Sequence, residues 1–138
     1  FYTAVADLQQ ELGFVCTVHL PFLWVDPCSL NEPVRQTSIA CLQRAAELTR
    51  VVEVHTYVLH LWGFTTMQIV AQLLHPAQRQ AILGALMDQA GRSLSELCEI
   101  IEPSDLCVEN LEDALFDLAL PLIGQYGVSI CLDVGHLA

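Results

Sequence analysis

The sequence predicts an α/β domain built on parallel strands, and three observations carry that reading. Short apolar runs alternate with longer stretches whose apolar residues recur every three or four positions. The short runs are apolar throughout instead of alternating with polar residues, as in strands covered on both faces of a sheet. Each run also ends on a residue of metal-ligand type: His19, His60, Glu109 and Asp133.

In chain order, Phe1–Gly13 reads as a lead-in helix and Phe14–Leu20 (FVCTVHL) as the first strand. Asn31 is placed to cap a helix that carries Pro33 in its first turn, where proline is tolerated. Ile39, Leu42, Ala46 and Thr49 keep one face of it. Tyr57–Leu61 (YVLHL) is the second strand. A helical region broken near Pro76 follows, its longer part carrying Leu83, Leu86, Met87, Ala90, Leu94, Leu97, Cys98 and Ile101 up to Pro103. Leu106–Glu109 is the third strand. Leu115, Leu118, Leu122, Ile123 and Tyr126 mark a helix that Gly127 closes, with Pro121 expected to kink it. Val128–Asp133 (VSICLD) is the fourth strand. Repeated strand–helix units imply a parallel sheet, here in a single domain over residues 1–138.

Composition narrows the function. The chain is 54% hydrophobic with a mean hydropathy of +0.47. No apolar run reaches the roughly 18 residues of a membrane helix. The longest, Val54–Trp62, is interrupted by His55 and His60. The net charge is −11, and all five basic residues are arginine. Such a surface argues against nucleic acid, whose binding rests on neutralised phosphates, and is compatible with a bound cation. Cys16, Cys28, Cys41, Cys98, Cys107 and Cys131 form no CxxC pair, and three lie in strand-like runs. They read as reduced, structural thiols in a cytoplasmic protein. Phe1–Gln10 lacks the basic start of a signal peptide, and the chain begins as if cut from something longer.

The strand-end residues form the candidate site. In parallel β/α folds the carboxyl ends of all strands point to one face, where active sites sit. His19, His60, Glu109, Asp133 and His136 are therefore expected to converge there as metal ligands, with Glu109 and His136 also catalytic. Imidazole with carboxylate suits Zn²⁺ first, with Mn²⁺ or Fe²⁺ as alternatives. Taken singly, each residue has a plainer reading: a strand-end histidine with a local partner, Glu109 facing a helix N-terminus, Asp133 in a turn before Gly135. The set of them on successive strands is what favours a metal. His55, His75 and Glu53 read as solvated or structural, and Glu112 and Asp113 as helix N-terminal charge. Trp24 and Trp62 follow the two strand-end histidines; they either wall a substrate pocket or pack under a loop.

VHLPF, YVLHL, VENL and CLDVGHL resemble successive strand-end motifs of the xylose isomerase-like TIM-barrel superfamily, which includes endonuclease IV-type enzymes and sugar isomerases and epimerases. The resemblance runs from about Phe14 to the last residue. It implies a partial (β/α)8 barrel, with about four of eight strands present, roughly the second to the fifth. It implies that Glu109 bridges two metals or binds a single one, that Asp133 is a ligand, and that His19 and His60 belong to a multinuclear site. It gives His136 a further metal or the substrate, and Asn110 a place orienting the loop. Asn110 is expected at the substrate, as are Trp24 and Trp62 from their positions after the strand-end histidines. Two departures stand out: HLPFLWVD has no Tyr and Asn after the first histidine, and Leu61, Trp62 and Gly63 replace the usual Pro-Gly after the second. The ligands that later strands supply in the family fall beyond Ala138. Two exposed sheet edges would favour a homodimer of half-barrels.

The function expected of the full-length parent is metal-dependent hydrolysis of a phosphodiester in a small molecule. HLPF and YVLHL resemble the branch that cuts the nucleotide loop of cobamides. The alternatives are a sugar or sugar phosphate isomerase or epimerase using one ion, and a fragment inactive as given.

Overall fold

The computed structural model describes residues 1–72, 76–111 and 116–137. His75, Glu112, Asp113 and Leu115, named above, lie outside the described residues. The elements are α1 (Tyr2–Leu12), β1 (Cys16–His19), α2 (Glu32–Thr49), β2 (Val54–Leu59), α3 (Phe64–Gln72), α4 (Pro76–Cys98), β3 (Leu106–Glu109), α5 (Phe116–Tyr126) and β4 (Ser129–Cys131). A short 3₁₀ turn, Pro103–Asp105, precedes β3, and another, Val134–Leu137, follows β4. The four strands are parallel in the order β1-β2-β3-β4. Each crossover between them carries helix, as parallel neighbours require.

Strand burial follows position in the sheet. All four residues of β3 are buried, as are Tyr57, Val58 and Leu59 of β2. The expectation of strands covered on both faces fails at the edges. Thr17 and His19 of β1 are exposed, as are Ser129 and Ile130 of β4, because each of these strands has one neighbour only. β2 also begins earlier than predicted, so His55 lies within it, exposed, and not before it. α4 ends at Cys98; Ile101 is buried in the turn beyond, where its amide donates to the Leu97 carbonyl. Gly127 takes the left-handed conformation (φ 68°) that ends α5, as its place in the sequence predicts.

The core lies between sheet and helices. Ile39, Leu42 and Ala46 of α2 join Leu86, Ala90, Leu94 and Leu97 of α4 in one cluster with Leu59, Leu106 and Val108 of the strands. Arg35 crosses this layer at 1% exposure. Its guanidinium donates to both carboxylate oxygens of Glu32 (2.9 and 2.8 Å), to Glu96 (2.8 Å) and to the Ser93 hydroxyl (2.9 Å). Ser93 in turn donates to the Pro27 carbonyl at 2.6 Å. A buried cation is tolerated only when its donors are matched this way. The network ties α2 and α4 to the loop between β1 and α2, which fixes where that loop meets the carboxyl ends of the strands. Among the described residues, no helix is long and apolar enough to cross a membrane.

Candidate metal centre

The five predicted ligands do meet at the carboxyl ends of the strands. Glu109 closes β3 and is 8% exposed. His19 closes β1, and His60 follows β2 by one residue. The Nε2 atoms of both histidines face the same carboxylate oxygen, Glu109 Oε2, at 3.2 and 2.8 Å. The other oxygen, Oε1, faces His136 Nε2 at 3.9 Å. His136 Nε2 also lies 3.6 Å from Asp133 Oδ2. Two groups of donor atoms result, His19–His60–Glu109 and Glu109–Asp133–His136, each within a sphere that one cation can span. They share Glu109, one oxygen to each side.

The donor chemistry fits a divalent cation. His19 Nδ1 lies 2.8 Å from the Leu20 carbonyl, which only accepts, so this nitrogen carries the proton. In the neutral ring Nε2 is then a lone pair facing a carboxylate oxygen. Two acceptors at that distance repel unless a proton or a metal ion lies between them. A backbone carbonyl holding the far nitrogen is also the common way of orienting a metal-binding imidazole. Burial lowers the pKa of His60 below the ordinary 6.5, with Glu109 opposing the shift, so the ring is biased to its neutral, ligating form.

The sequence builds this rim with short local bonds. Asp133 Oδ1 accepts from the Gly135 amide at 2.7 Å, which folds the chain back so that His136 returns to the site. The turn reading and the ligand reading of Asp133 are therefore compatible: one oxygen serves the turn and Oδ2 faces His136. Asn110 is buried; its amide donates to the Asp133 carbonyl (3.0 Å), and its Oδ1 accepts from the Asp133 amide (2.6 Å). It clamps the ends of β3 and β4 together.

The two tryptophans divide between the alternatives. Trp62 is 3% exposed in the core cluster, which is the packing alternative, and presents no face to a substrate there. Trp24 is wholly exposed. The ring that contacts the site is Phe22, unremarked in the sequence reading. Its centroid lies 5.2 Å from that of His19 and 4.8 Å from that of His60. The signal available was an aromatic three residues past a strand-end histidine. His55 lies toward the opposite end of β2, and the Glu53 backbone is bonded to Gln9, in keeping with structural roles.

No curated protein sequence matches this chain. Among solved structures, it superposes on a D-tagatose 3-epimerase-like protein with a TM-score of 0.74 at 22% identity, covering 99% of this chain and 51% of that one. It superposes on SacUVDE with a TM-score of 0.66 at 15% identity, covering 98% of this chain and 42% of that one. The chain thus spans about half the length of the structures it matches, and its four-stranded sheet is part of a barrel. The sequence profile described as "Xylose isomerase-like TIM barrel" matches residues 2–138, and the chain belongs to that family.

Proposed function

We propose that this chain contributes the metal-binding half of a divalent-metal-dependent hydrolase that cleaves a phosphodiester in a small molecule. The observation that carries the reading is the division of Glu109 between two donor groups, one oxygen facing each. Two divalent cations would supply Lewis acidity and lower the pKa of a water. His19, His60 and Glu109 would hold one, Glu109, Asp133 and His136 would hold the other, and Asn110 fixes the spacing between the two groups. Phe22 packs on the His19 and His60 rings. The two-histidine donor set favours Zn²⁺. The net charge of −11 favours a small substrate over DNA, and six free cysteines favour a reducing, cytoplasmic setting.

The second reading is a sugar epimerase or isomerase using one ion, favoured by the superposition on the epimerase-like protein. The experiment takes the full-length parent. Metal content is measured by elemental analysis, alongside turnover of bis(p-nitrophenyl) phosphate and of a ketohexose. Two ions per chain with phosphodiester cleavage supports the hydrolase. One ion with ketohexose epimerisation replaces it with the second reading, and metal binding with neither turnover overturns both.

A further inference from the structure

We infer, building on the proposed metal centre, that Asp26, Cys28 and Thr66 are positioning residues: they hold His60 at Glu109 and so set the cation affinity of the His19–His60 side. His60 stands one residue beyond the β2–β3 ladder, whose last pair is Leu59 with Val108. The next holds on the chain come from the β1–α2 loop, which leaves the other histidine, His19. Phe22 of that loop packs on the His60 ring, with centroids 4.8 Å apart. The Cys28 thiol donates to the Leu61 carbonyl at 2.8 Å, one residue past His60. The Thr66 hydroxyl, in the first turn of α3, donates to Asp26 Oδ2 at 2.7 Å. Asp26, Cys28 and Thr66 are all buried. Burial pushes the Cys28 thiol well above its ordinary pKa, so it keeps the proton it donates.

Gly63 makes this approach possible. A Cβ there would stand 2.3 Å from the Asp26 carboxyl carbon. So close a fit leaves the two loops no room to shift independently. The β1–α2 loop is itself anchored. The Asp26 amide donates to Ser38 Oγ on α2 at 2.8 Å, and the Pro27 carbonyl accepts from Ser93 on α4 at 2.6 Å. Ser93 in turn accepts from the buried Arg35. Rigidity thus runs from the helix core through residues 26–28 to Leu61 and Thr66, and from there to the imidazole. Ligand groups held within about 0.5 Å of their working geometry by packed supporting residues bind with less rearrangement. None of these contacts involves Asp133 or His136, so their effect falls on one side of Glu109.

The test uses the full-length parent, with chelator competition resolving the cation-binding steps and His60→Ala and Asp133→Ala assigning them. Thr66→Val removes the hydroxyl at nearly constant shape, and Cys28→Ala removes the thiol. Each should weaken the His60-dependent step by about 10–100-fold, as loss of an orienting residue does, and leave the Asp133-dependent step unchanged. Thr66→Ser and Cys28→Ser keep a donor at each place and should restore the wild-type affinity. Gly63→Ala should reproduce the weakening by forcing the loops apart.

A second measurement needs no metal. In metal-stripped protein with labelled histidine, nuclear Overhauser contacts from the His60 ring to Phe22 and His19 should be strong in the wild type. They should be lost in the Thr66→Val, Cys28→Ala double variant. If the wild type binds no cation and the double variant still loses these contacts, the positioning role stands and the metal-centre proposal falls. An unaltered His60-dependent step, equal weakening of both steps, serine variants that fail to restore binding, or ring contacts that survive in the double variant would overturn the inference. If the double variant does not fold, the single variants and their serine counterparts decide it.

Discussion

The two sides of Glu109 differ in how closely their atoms are held. On the His19–His60 side, two imidazole nitrogens lie 3.2 and 2.8 Å from one oxygen, the rings are 4.9 Å apart, and Phe22 packs on both. On the Asp133–His136 side, His136 stands 3.9 Å from Oε1 and 3.6 Å from Asp133, whose side chain is 44% exposed. Part of the difference lies in the sheet. His60 follows β2 and Glu109 closes β3, the two interior strands, and they make the 2.8 Å contact; His19, on edge strand β1, stands at 3.2 Å, and Asp133 and His136 follow edge strand β4, which is three residues long. Ligands positioned by interior strands need less rearrangement to bind an ion, and preorganisation of this kind appears as affinity.

Glu109→Gln should be the most severe substitution. It removes the group both sides share, and all stoichiometric metal should be lost by elemental analysis. Next come the one-sided variants. His60→Ala should abolish the tighter ion and Asp133→Ala the weaker one, so chelator competition should show one binding step remaining in each and a different one. Asn110→Ala touches no donor atom directly. It should weaken the Asp133 side alone by about 10–100-fold, as loss of a residue that orients ligands does. The smallest effect concerns pH. His60 titrates below 6.5 in the folded chain, so below pH 6.5 the unfolded chain binds more protons at this position. Stability of the metal-free protein should therefore fall as pH drops below 6.5 and recover above it. His60→Asn should flatten that slope, a difference of about 2 °C in thermal midpoint.

Much of this was readable in the sequence because strand ends announce themselves. His19, His60, Glu109 and Asp133 each follow an apolar run, and parallel topology brings such positions to one face. What escaped depended on neighbours. Trp24 and Trp62 each follow a strand-end histidine, yet one is wholly exposed and the other buried, because helix packing over the second loop has no local signature. The exposed face of β4 was hidden for the same reason: VSICLD is apolar whether or not a further strand lies beside it. Phe22 escaped because its contacts are made to residues of two different strand ends. Gly63 shows the limit in the other direction. Any side chain there would meet the Asp26 carboxyl carbon at 2.3 Å, a closeness that nothing in LWGF signals.

Sheet order and chain order are the same in this molecule, and that has a kinetic meaning. During synthesis each strand emerges next to the one just completed, so every pairing step closes one crossover, of a single helix after β1 and β3 and of two helices after β2. The His19–His60–Glu109 group is complete as soon as residue 109 has folded into place. The Asp133–His136 group waits for the fourth strand. A nascent chain therefore acquires its two cation-binding groups in sequence, the better-formed one first, and an ion captured early would hold three strands together while the fourth is still being made.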